Sequence, residues 1–288
     1  MKLGSALGSN SRAHVLWKGN EQGGTGMRIL ITNDDGIDAP GLKIVEAIAQ
    51  QVAGAEGEVW VVAPEFERSG VGHCISYINP ALFQQRDERR FALEGYPADC
   101  VLAGLYEVFR GEKPDLILSG VNRGNNSAEN TLYSGTIGAA IEGALQGVRA
   151  IALSQYYGPN NVNLDNPFEA ALETGADVVR RILAADQWGD GDRYSMFYNV
   201  NFPAVPARDV KGVKVVAQGR REDTNFSAEP HISPSGRKFM WISGSSQQAH
   251  AGEDTDATVN MAGYTSITPM RCDLTAHDAL ASLKAAVE

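Results

Sequence analysis

The stretch from Met27 to Gly41 reads MRILITNDDGIDAPG, and it decides the fold. Its first part, Arg28–Asn33, is a short apolar run rich in β-branched residues, which is typical of a buried strand. The polar turn Asn33-Asp34-Asp35-Gly36 follows, and Gly41–Val52 then carries apolar residues at helical spacing. A buried strand that leads through a polar turn into a helix is the opening unit of a parallel α/β sheet.

The same alternation continues along the chain to about residue 218. It predicts strands at Glu58–Pro64, Cys74–Leu93 (as strands or a hairpin around Pro80), Asp115–Val121, Ala150–Ser154, Phe197–Phe202 and Val213–Ala217, and helices at Ala98–Arg110, Thr136–Gly147 and Pro167–Ala185. The strand runs are apolar on both faces, which indicates a sheet covered on both sides. The predicted fold is therefore a Rossmann-like, mostly parallel sheet with helices on both faces.

Beyond Gly219 the sequence becomes polar. A turn signal at Pro234–Gly236, between Ile232 and Phe239–Ile242, predicts an extended hairpin arm that leaves the core. Tyr264–Pro269 is predicted as a last strand and Ala276–Val287 as a terminal helix. We therefore divide the chain into an α/β core, 27–218, and a C-terminal arm and helix, 219–288, used in oligomerisation.

The first 26 residues are rich in Gly, Ser and Asn and lack periodicity. We expect a disordered extension or a start codon placed too early, with Met27 as the natural start. The alternative is a partner-binding arm anchored by Trp17. Its longest apolar patch is too short for a signal peptide.

Composition restricts the function. The chain is 43% hydrophobic and 21% charged, with a net charge of −10, which excludes whole-chain disorder and disfavours binding to a nucleic-acid polymer. No apolar run approaches the ~18 residues of a membrane span. The three cysteines form no CxxC pair, so we expect reduced thiols and a cytoplasmic protein.

Polar residues follow several of the predicted strands, and ligands bind in such sheets beyond the carboxyl ends of the strands. Asp34 and Asp35 follow the first strand, Ser69 follows the second, and Asn122 ends a later one. Adjacent carboxylates repel, and a cation relieves that repulsion. This all-oxygen set suits Mg²⁺, Mn²⁺ or Ca²⁺. The alternative interpretation of the Asp pair is an ordinary helix N-cap.

A second element, Ser134-Gly135-Thr136, opens a predicted helix. Backbone N–H groups at a helix start, together with two hydroxyls, can bind an anion. The alternative is an ordinary Ser cap. A metal beside an anion site indicates phosphate chemistry.

Five ordered motifs resemble the SurE survival-protein family of metal-dependent 5′/3′-nucleotidases. Besides the opening stretch they are VVAPEFERSGVGHCIS (61–76), GYPADCV (95–101), PDLILSGVNRGNNS (114–127) and LYSGTIGAAIEG (132–143). The resemblance covers roughly Met27 to Pro269.

The resemblance implies one divalent metal ion per subunit, Mg²⁺ or Mn²⁺, held by Asp34, Asp35, Ser69 and Asn122. It also implies phosphate contacts from Asn33, from Asn126 and from the Ser134-Gly135-Thr136 turn. The substrate implied is a nucleoside 5′- or 3′-monophosphate, and short polyphosphate is a further candidate. Family members form dimers or tetramers through exchanged C-terminal segments, so we expect a homodimer or homotetramer.

The hypothesis for mechanism is attack on the phosphorus by a metal-activated water, with Asp34 or Asp35 orienting or deprotonating it. His73 is either a proton donor to the leaving oxygen or a structural residue. Arg68 contacts phosphate or pairs with Glu65 or Glu67. Phe66 and Tyr96 either stack a base or pack, and the acidic turns Asp190–Asp192 and Glu253–Asp256 are interpreted as solvated loops.

Three other classes of protein could use a site at the end of the first strand. A haloacid-dehalogenase-type phosphatase needs DxD after that strand, and a dinucleotide-binding oxidoreductase needs GxGxxG there. The sequence NDDGID has neither. A non-catalytic nucleotide-binding module would use the same site without turnover, and a binding measurement without phosphate release would support it.

Overall fold

The structure is a computed structural model that describes residues 26–189, 194–222, 226–244 and 246–288. The predictions for residues 1–25, including Trp17, and for Asp190 and Asp192 lie outside the described residues. Among the helices described, none is both long and apolar enough to cross a membrane.

The described residues form one nine-stranded sheet and a separate two-stranded hairpin. The strands, in chain order, are β1 (Arg28–Thr32), β2 (Glu58–Pro64), β3 (Phe83–Asp87), β4 (Arg90–Leu93), β5 (Leu116–Arg123), β6 (Ala150–Gln155), β7 (Phe197–Phe202), β8 (Val213–Val215), β9 (Ser227–Ile232), β10 (Lys238–Ser243) and β11 (Thr265–Met270). The large sheet has the order β3-β4-β2-β1-β5-β6-β7-β11-β8, and the hairpin pairs β9 with β10. Six adjacent strands of this sheet are mutually parallel: β4, β2, β1, β5, β6 and β7. The strand β3 pairs antiparallel with β4, and β11 pairs antiparallel with β7. The mostly parallel sheet is as predicted.

Helices cover both faces of the sheet. They are α1 (Pro40–Ala53), α2 (Pro97–Ala103, continued by a π-helical turn to Val108), α3 (Gly135–Leu145) and α4 (Glu169–Ala185). Successive side chains of β1 point to opposite faces of the sheet, and helices bury both faces. Ile29 and Ile31 pack among α1 and α4, while Leu30 points the other way, into the cluster with α2 and α3.

The strand order reverses direction at β1. The chain runs from β1 outward to β2 and β4, and then crosses back to β5 on the other side of β1. A crevice opens at such a switch point, beyond the carboxyl ends of the strands. The turn after β1 and the loop after β5 therefore face each other.

The hairpin predicted around Pro80 was misplaced. The antiparallel pair is β3 and β4, and its turn is at Glu88–Arg89. Residues 74–82 contain no regular element. The polar strand β3 lies at the sheet edge with one partner, so its sequence lacks the apolar run that marks the central strands.

The C-terminal segment differs from the predicted division at residue 218. The hairpin of β9 and β10 is exposed, as expected for an arm. However, β11 joins the main sheet beside β7, and α5 (Asp256–Met261) packs against them. The core therefore includes residues from both sides of the arm. Every residue of the terminal helix α6 (Leu280–Val287) is exposed.

Candidate active site at the carboxyl ends of β1 and β5

Asp34 joins three parts of the chain at the end of β1. Its side chain is 3% exposed, and its Oδ1 accepts a 2.6 Å hydrogen bond from Thr136 Oγ1 at the start of α3. Its backbone carbonyl accepts a 2.7 Å bond from the Arg68 N–H in the loop after β2. The turn after β1, the loop after β2 and the first turn of α3 therefore meet at one residue.

The start of α3 lies in direct contact with Asp34. A Cβ placed on Gly135 would lie 2.9 Å from Asp34 Cβ and 3.1 Å from its Oδ2, so the approach requires glycine. Ser134 caps the helix, since its Oγ accepts a bond from Ile137 N at 3.1 Å. The start of α3, which was predicted as an anion site, therefore lies next to the Asp pair.

The two neighbouring carboxylates are electrostatically strained. Burial and the charge of Asp35 raise the pKa of Asp34 to about 6, although hydrogen bonds from Thr136 oppose the shift. Burial also raises the pKa of Asp35, and the Glu67 carboxylate adds to it, whereas the Arg123 backbone N–H, 3.1 Å from Asp35 Oδ2, lowers it. Both carboxylates are therefore costly to keep charged without a cation.

Asn122 and Ser69 lie on the two flanking segments. Asn122 Nδ2 donates to Gly124 O at 2.9 Å, so the amide oxygen is the atom a cation would take. Ser69 is exposed, and its Oγ donates to Glu67 Oε1 at 2.8 Å rather than to either Asp carboxylate. The backbone bond from Arg68 to Asp34 holds this loop at the site.

The donor set fits a hard divalent cation. Among the described residues, no three His, Cys, Asp or Glu side chains cluster as metal ligands. Two strained carboxylates with a neighbouring amide oxygen and a hydroxyl are instead the oxygen ligands that Mg²⁺ and Mn²⁺ take. In addition, Asn33 Oδ1 is buried beside Asp34 and has no hydrogen-bond partner in the part of the chain that the structure describes.

Two predicted phosphate contacts have other partners. The Thr136 hydroxyl is donated to Asp34, which makes Thr136 a residue that positions the carboxylate. Asn33 Nδ2 donates to Gly36 O at 2.8 Å, so its oxygen is the atom left for a ligand. The sequence could not predict these partners, because both donors bond to neighbouring atoms of the folded site rather than to a ligand.

Asn126 is fixed from several directions. Its backbone N–H donates to Asn201 Oδ1 at 2.7 Å, and its carbonyl accepts from Asn199 Nδ2 at 2.7 Å. Its own Nδ2 donates to Ser154 Oγ at 2.8 Å. Asn199 and Asn201 lie on β7 and are fully buried. The predicted phosphate contact is therefore a rigid part of the sheet edge.

His73 is hydrogen-bonded to a carboxylate on α3. Its Nε2 lies 2.7 Å from Glu142 Oε2 on α3, and seven residues of helix, about 10 Å, separate Glu142 from Gly135. Burial would raise the pKa of Glu142, but hydrogen bonds from His73 and Gln146 lower it overall. This arrangement favours the structural interpretation of His73 over the proton donor.

Arg68 and Phe66 lie in the loop after β2, and their surroundings differ. In the part of the chain that the structure describes, Arg68 pairs with neither Glu65 nor Glu67: its Nε donates to Gly95 O at 3.2 Å, and its guanidinium lies over the Tyr96 ring. Glu65 instead pairs with Arg86. Phe66 is 59% exposed, so its ring is open to a planar ligand.

Two residues near the Asp pair were not assigned to the site from the sequence. Glu67 is close enough to raise the pKa of Asp35, and Tyr157 is close enough to feel the charges of Arg123 and Asp35. Tyr157 comes two residues after β6, so the strand-end rule could have identified it. A third residue, Asp256, was wrongly interpreted as part of a solvated loop, since it is 0% exposed.

Two comparisons with known protein sequences show what this chain is similar to. The family model described as survival protein SurE matches residues 29–225. A protein named 5′-nucleotidase SurE from Jannaschia sp. is 64% identical, covering 91% of this chain and all of the relative. Another of the same name from Ruegeria pomeroyi is 62% identical, covering 90% of this chain and 99% of the relative.

A solved structure supports the fold in the same way. The crystal structure of the SurE protein from Aquifex aeolicus is similar with a TM-score of 0.73 at 34% identity. The match covers 91% of this chain and 100% of the Aquifex chain.

Proposed function

This chain belongs to the survival protein SurE family, and on that premise we propose that it hydrolyses phosphomonoesters as a divalent-metal-dependent nucleotidase. Relatives named 5′-nucleotidases, more than 60% identical over nine-tenths of the chain, support nucleotidase activity. The observation that carries the proposal is Asp34, a buried carboxylate held between Asp35 and the first turn of α3. We include both 5′- and 3′-monophosphates as substrates, and short polyphosphate as a further one.

Asp34, Asp35, Asn122 and Ser69 would hold one Mg²⁺ or Mn²⁺ ion per subunit. When bound, such an ion lowers the pKa of a coordinated water and neutralises charge on the phosphoryl group. Thr136 fixes the orientation of Asp34 through its hydroxyl. The Arg123 N–H fixes Asp35 through Oδ2.

The remaining polar groups would bind the phosphate and prepare the attack. The Ser134 hydroxyl and the Gly135 backbone lie at the helix start, where the helix dipole favours an anion. Asn126, in the loop after β5, would contribute a further phosphate contact. Asp35, the less buried carboxylate, would accept the proton of the attacking water through Oδ1, the oxygen not bonded to Arg123.

Self-association is part of the proposal. The arm exposes apolar side chains on both strands, and the terminal helix exposes its own: Ile232, Phe239, Met240, Trp241, Ile242, Leu280, Leu283 and Val287. Such surfaces mark protein interfaces. We propose that a second copy of the chain covers them in a homodimer or homotetramer. Trp241→Ser should shift the mass measured by light scattering towards the monomer, while Tyr194→Ser, at another exposed aromatic, should not.

The test is phosphate release from a panel of 5′- and 3′-nucleoside monophosphates and tripolyphosphate. Protein stripped with chelator is assayed without metal, with Mg²⁺ and with Mn²⁺. We expect release that depends on added metal and is highest on nucleoside monophosphates. Nucleotide binding measured by calorimetry without any release would instead favour the non-catalytic binding module.

A further inference from the structure

The loop between β5 and α3 has a backbone conformation that needs outside support. It carries Asn126 and leads directly to Ser134 and Gly135. Within it, Ala128 has a φ of +52°, a left-handed conformation that residues with a Cβ adopt rarely. Ala128 is fully buried. The path of the loop is therefore imposed by its neighbours rather than by its own preference.

Asp256 supplies part of that support from a distant point in the chain. Both of its carboxylate oxygens accept the Ala128 N–H, at 3.0 and 3.2 Å. The Oδ1 atom also accepts the N–H groups of Gly219 and Ala257, at 2.8 and 2.7 Å. A buried carboxylate thus binds the strained residue of the loop to the two chain segments at the base of the arm.

Arg221 supports the residues on either side of Ala128. Its side chain is fully buried, and it donates to the carbonyl and the hydroxyl of Ser127, at 3.1 and 3.0 Å. The same guanidinium donates to Glu129 Oε1 at 3.0 Å, and the Arg221 backbone N–H donates to Glu129 Oε2 at 3.1 Å. Gln218 adds a bond from Nε2 to the Ala128 carbonyl at 2.9 Å. Residues 127–129 are therefore bound by side chains from the C-terminal segment.

We infer that Asp256 and Arg221 are positioning residues for phosphate binding: they clamp Ala128 in its left-handed conformation and thereby fix the path of residues 127–131, which lead to the start of α3 at the site. The inference rests on the proposed function. The bonds described above go to this loop and to the base of the arm, and none of them goes to a proposed metal ligand, so we expect loss of the clamp to affect the phosphate more than the metal. Its loss should weaken binding of substrate more than it slows the chemical step.

The test compares Asp256→Asn and Arg221→Lys with the wild type and with a matched control, Asp254→Asn. Asp254 lies two residues away, is exposed, and pairs with Lys214 at 3.7 Å. For each protein we measure KM, kcat, the Kd for inorganic phosphate and the Kd for Mn²⁺. We expect both clamp variants to raise KM and the phosphate Kd about tenfold, with kcat and the Mn²⁺ Kd within about threefold of wild type.

A rescue experiment separates positioning from general stability. Glycine adopts the left-handed conformation without strain, so Ala128→Gly should restore KM in the Asp256→Asn background to within about threefold of wild type. Restored KM, with the melting temperature of the double variant still lowered, supports the inference. Asp256→Asn with a lowered melting temperature but wild-type KM and phosphate Kd overturns it. A wild type that neither releases nor binds phosphate overturns the proposed function itself.

Discussion

The turn after β1 and the C-terminal segment from Gln218 to Asn260 both contribute buried carboxylates to one edge of the sheet, but their sequences differ in what they reveal. Asp34 lies in a compact motif whose neighbours along the chain already indicate a metal site. Asp256 lies in a polar stretch, and its partner Ala128 is 128 residues away. A site residue is recognisable from sequence when its chemistry is local, and it is hidden when its role is to hold a distant loop.

The largest effect should come from removing the Asp34 charge. We predict that Asp34→Asn lowers kcat/KM for nucleoside monophosphates more than about 100-fold, because it removes a ligand of the proposed metal site. The exposed Asp38→Asn, four residues away, is the control and should retain activity. Steady-state phosphate release at saturating Mn²⁺ measures both. Wild-type turnover by Asp34→Asn would show that the motif region does not carry the chemistry.

A smaller effect is expected from closing the approach between α3 and Asp34. In Gly135→Ala, the new methyl group would meet Asp34 and Pro97 at about 3 Å and displace one of them. We predict a loss in kcat/KM of roughly 10- to 100-fold, comparable to other displacements of about 1 Å. Gly244→Ala is the control for folding, because its φ is not in the left-handed region and the added carbon would lie 3.4 Å or more from its neighbours. Equal activities would mean that the helix start does not bind substrate.

The same Asp34→Asn change should stabilise the metal-free protein. The folded-state pKa of Asp34 is about 6, against a usual 3.8, so the folded protein favours the protonated form. The Asp34 charge therefore lowers the free energy of unfolding by its full amount above pH 6. At pH values well below 4 it has no effect. The shift corresponds to about 3 kcal/mol. We predict that, at pH 7.5 in chelator, Asp34→Asn unfolds at a higher urea concentration than the wild type. The difference in unfolding free energy between the two proteins should be about half as large at pH 5. A gap that does not change with pH would contradict the assignment of the cost to this charge.

The smallest effect is expected at His73. Because His73 is bonded to Glu142, about two helical turns along α3 from Gly135, His73→Asn should change kcat less than about threefold. The lowered pKa of Glu142 means that its contribution to stability is present above its usual pKa and is lost as pH falls. The variant should therefore lose about 1 kcal/mol of stability at pH 7 and less at pH 4. A kcat reduced 100-fold, with unchanged KM, would restore His73 as the proton donor.

Sequence predicted the central sheet well because its strands are apolar runs. The bounds of β2 agree with the prediction, and those of β1 and α1 differ by no more than one residue at either end. The edge strand β3 carries no such signal, so its hairpin was predicted within Cys74–Leu93 but with its turn in the wrong place, and the short α5 was not identified.

The strand-end rule predicted that Asp34, Asp35 and Asn122 lie at one edge of the sheet. The structure has the turn after β1 bonded there to Arg123, next to Asn122, and the role of these residues as metal ligands stays a prediction. The use of the Thr136 hydroxyl and of Asn33 Nδ2 was not predictable, because each depends on a partner chosen by the folded geometry. The clamp was hidden for the same reason, since Arg221 and Ser127 meet only through tertiary structure.

The most direct test of the account is a calorimetric titration of chelator-stripped protein with Mn²⁺, in the presence and absence of inorganic phosphate. The account predicts one Mn²⁺ per chain in the wild type, tighter binding when phosphate is present, and no measurable binding in Asp34→Asn. Wild-type Mn²⁺ affinity in Asp34→Asn, or a Mn²⁺ affinity that phosphate leaves unchanged, would contradict the claim that metal and phosphate meet at the carboxyl ends of β1 and β5.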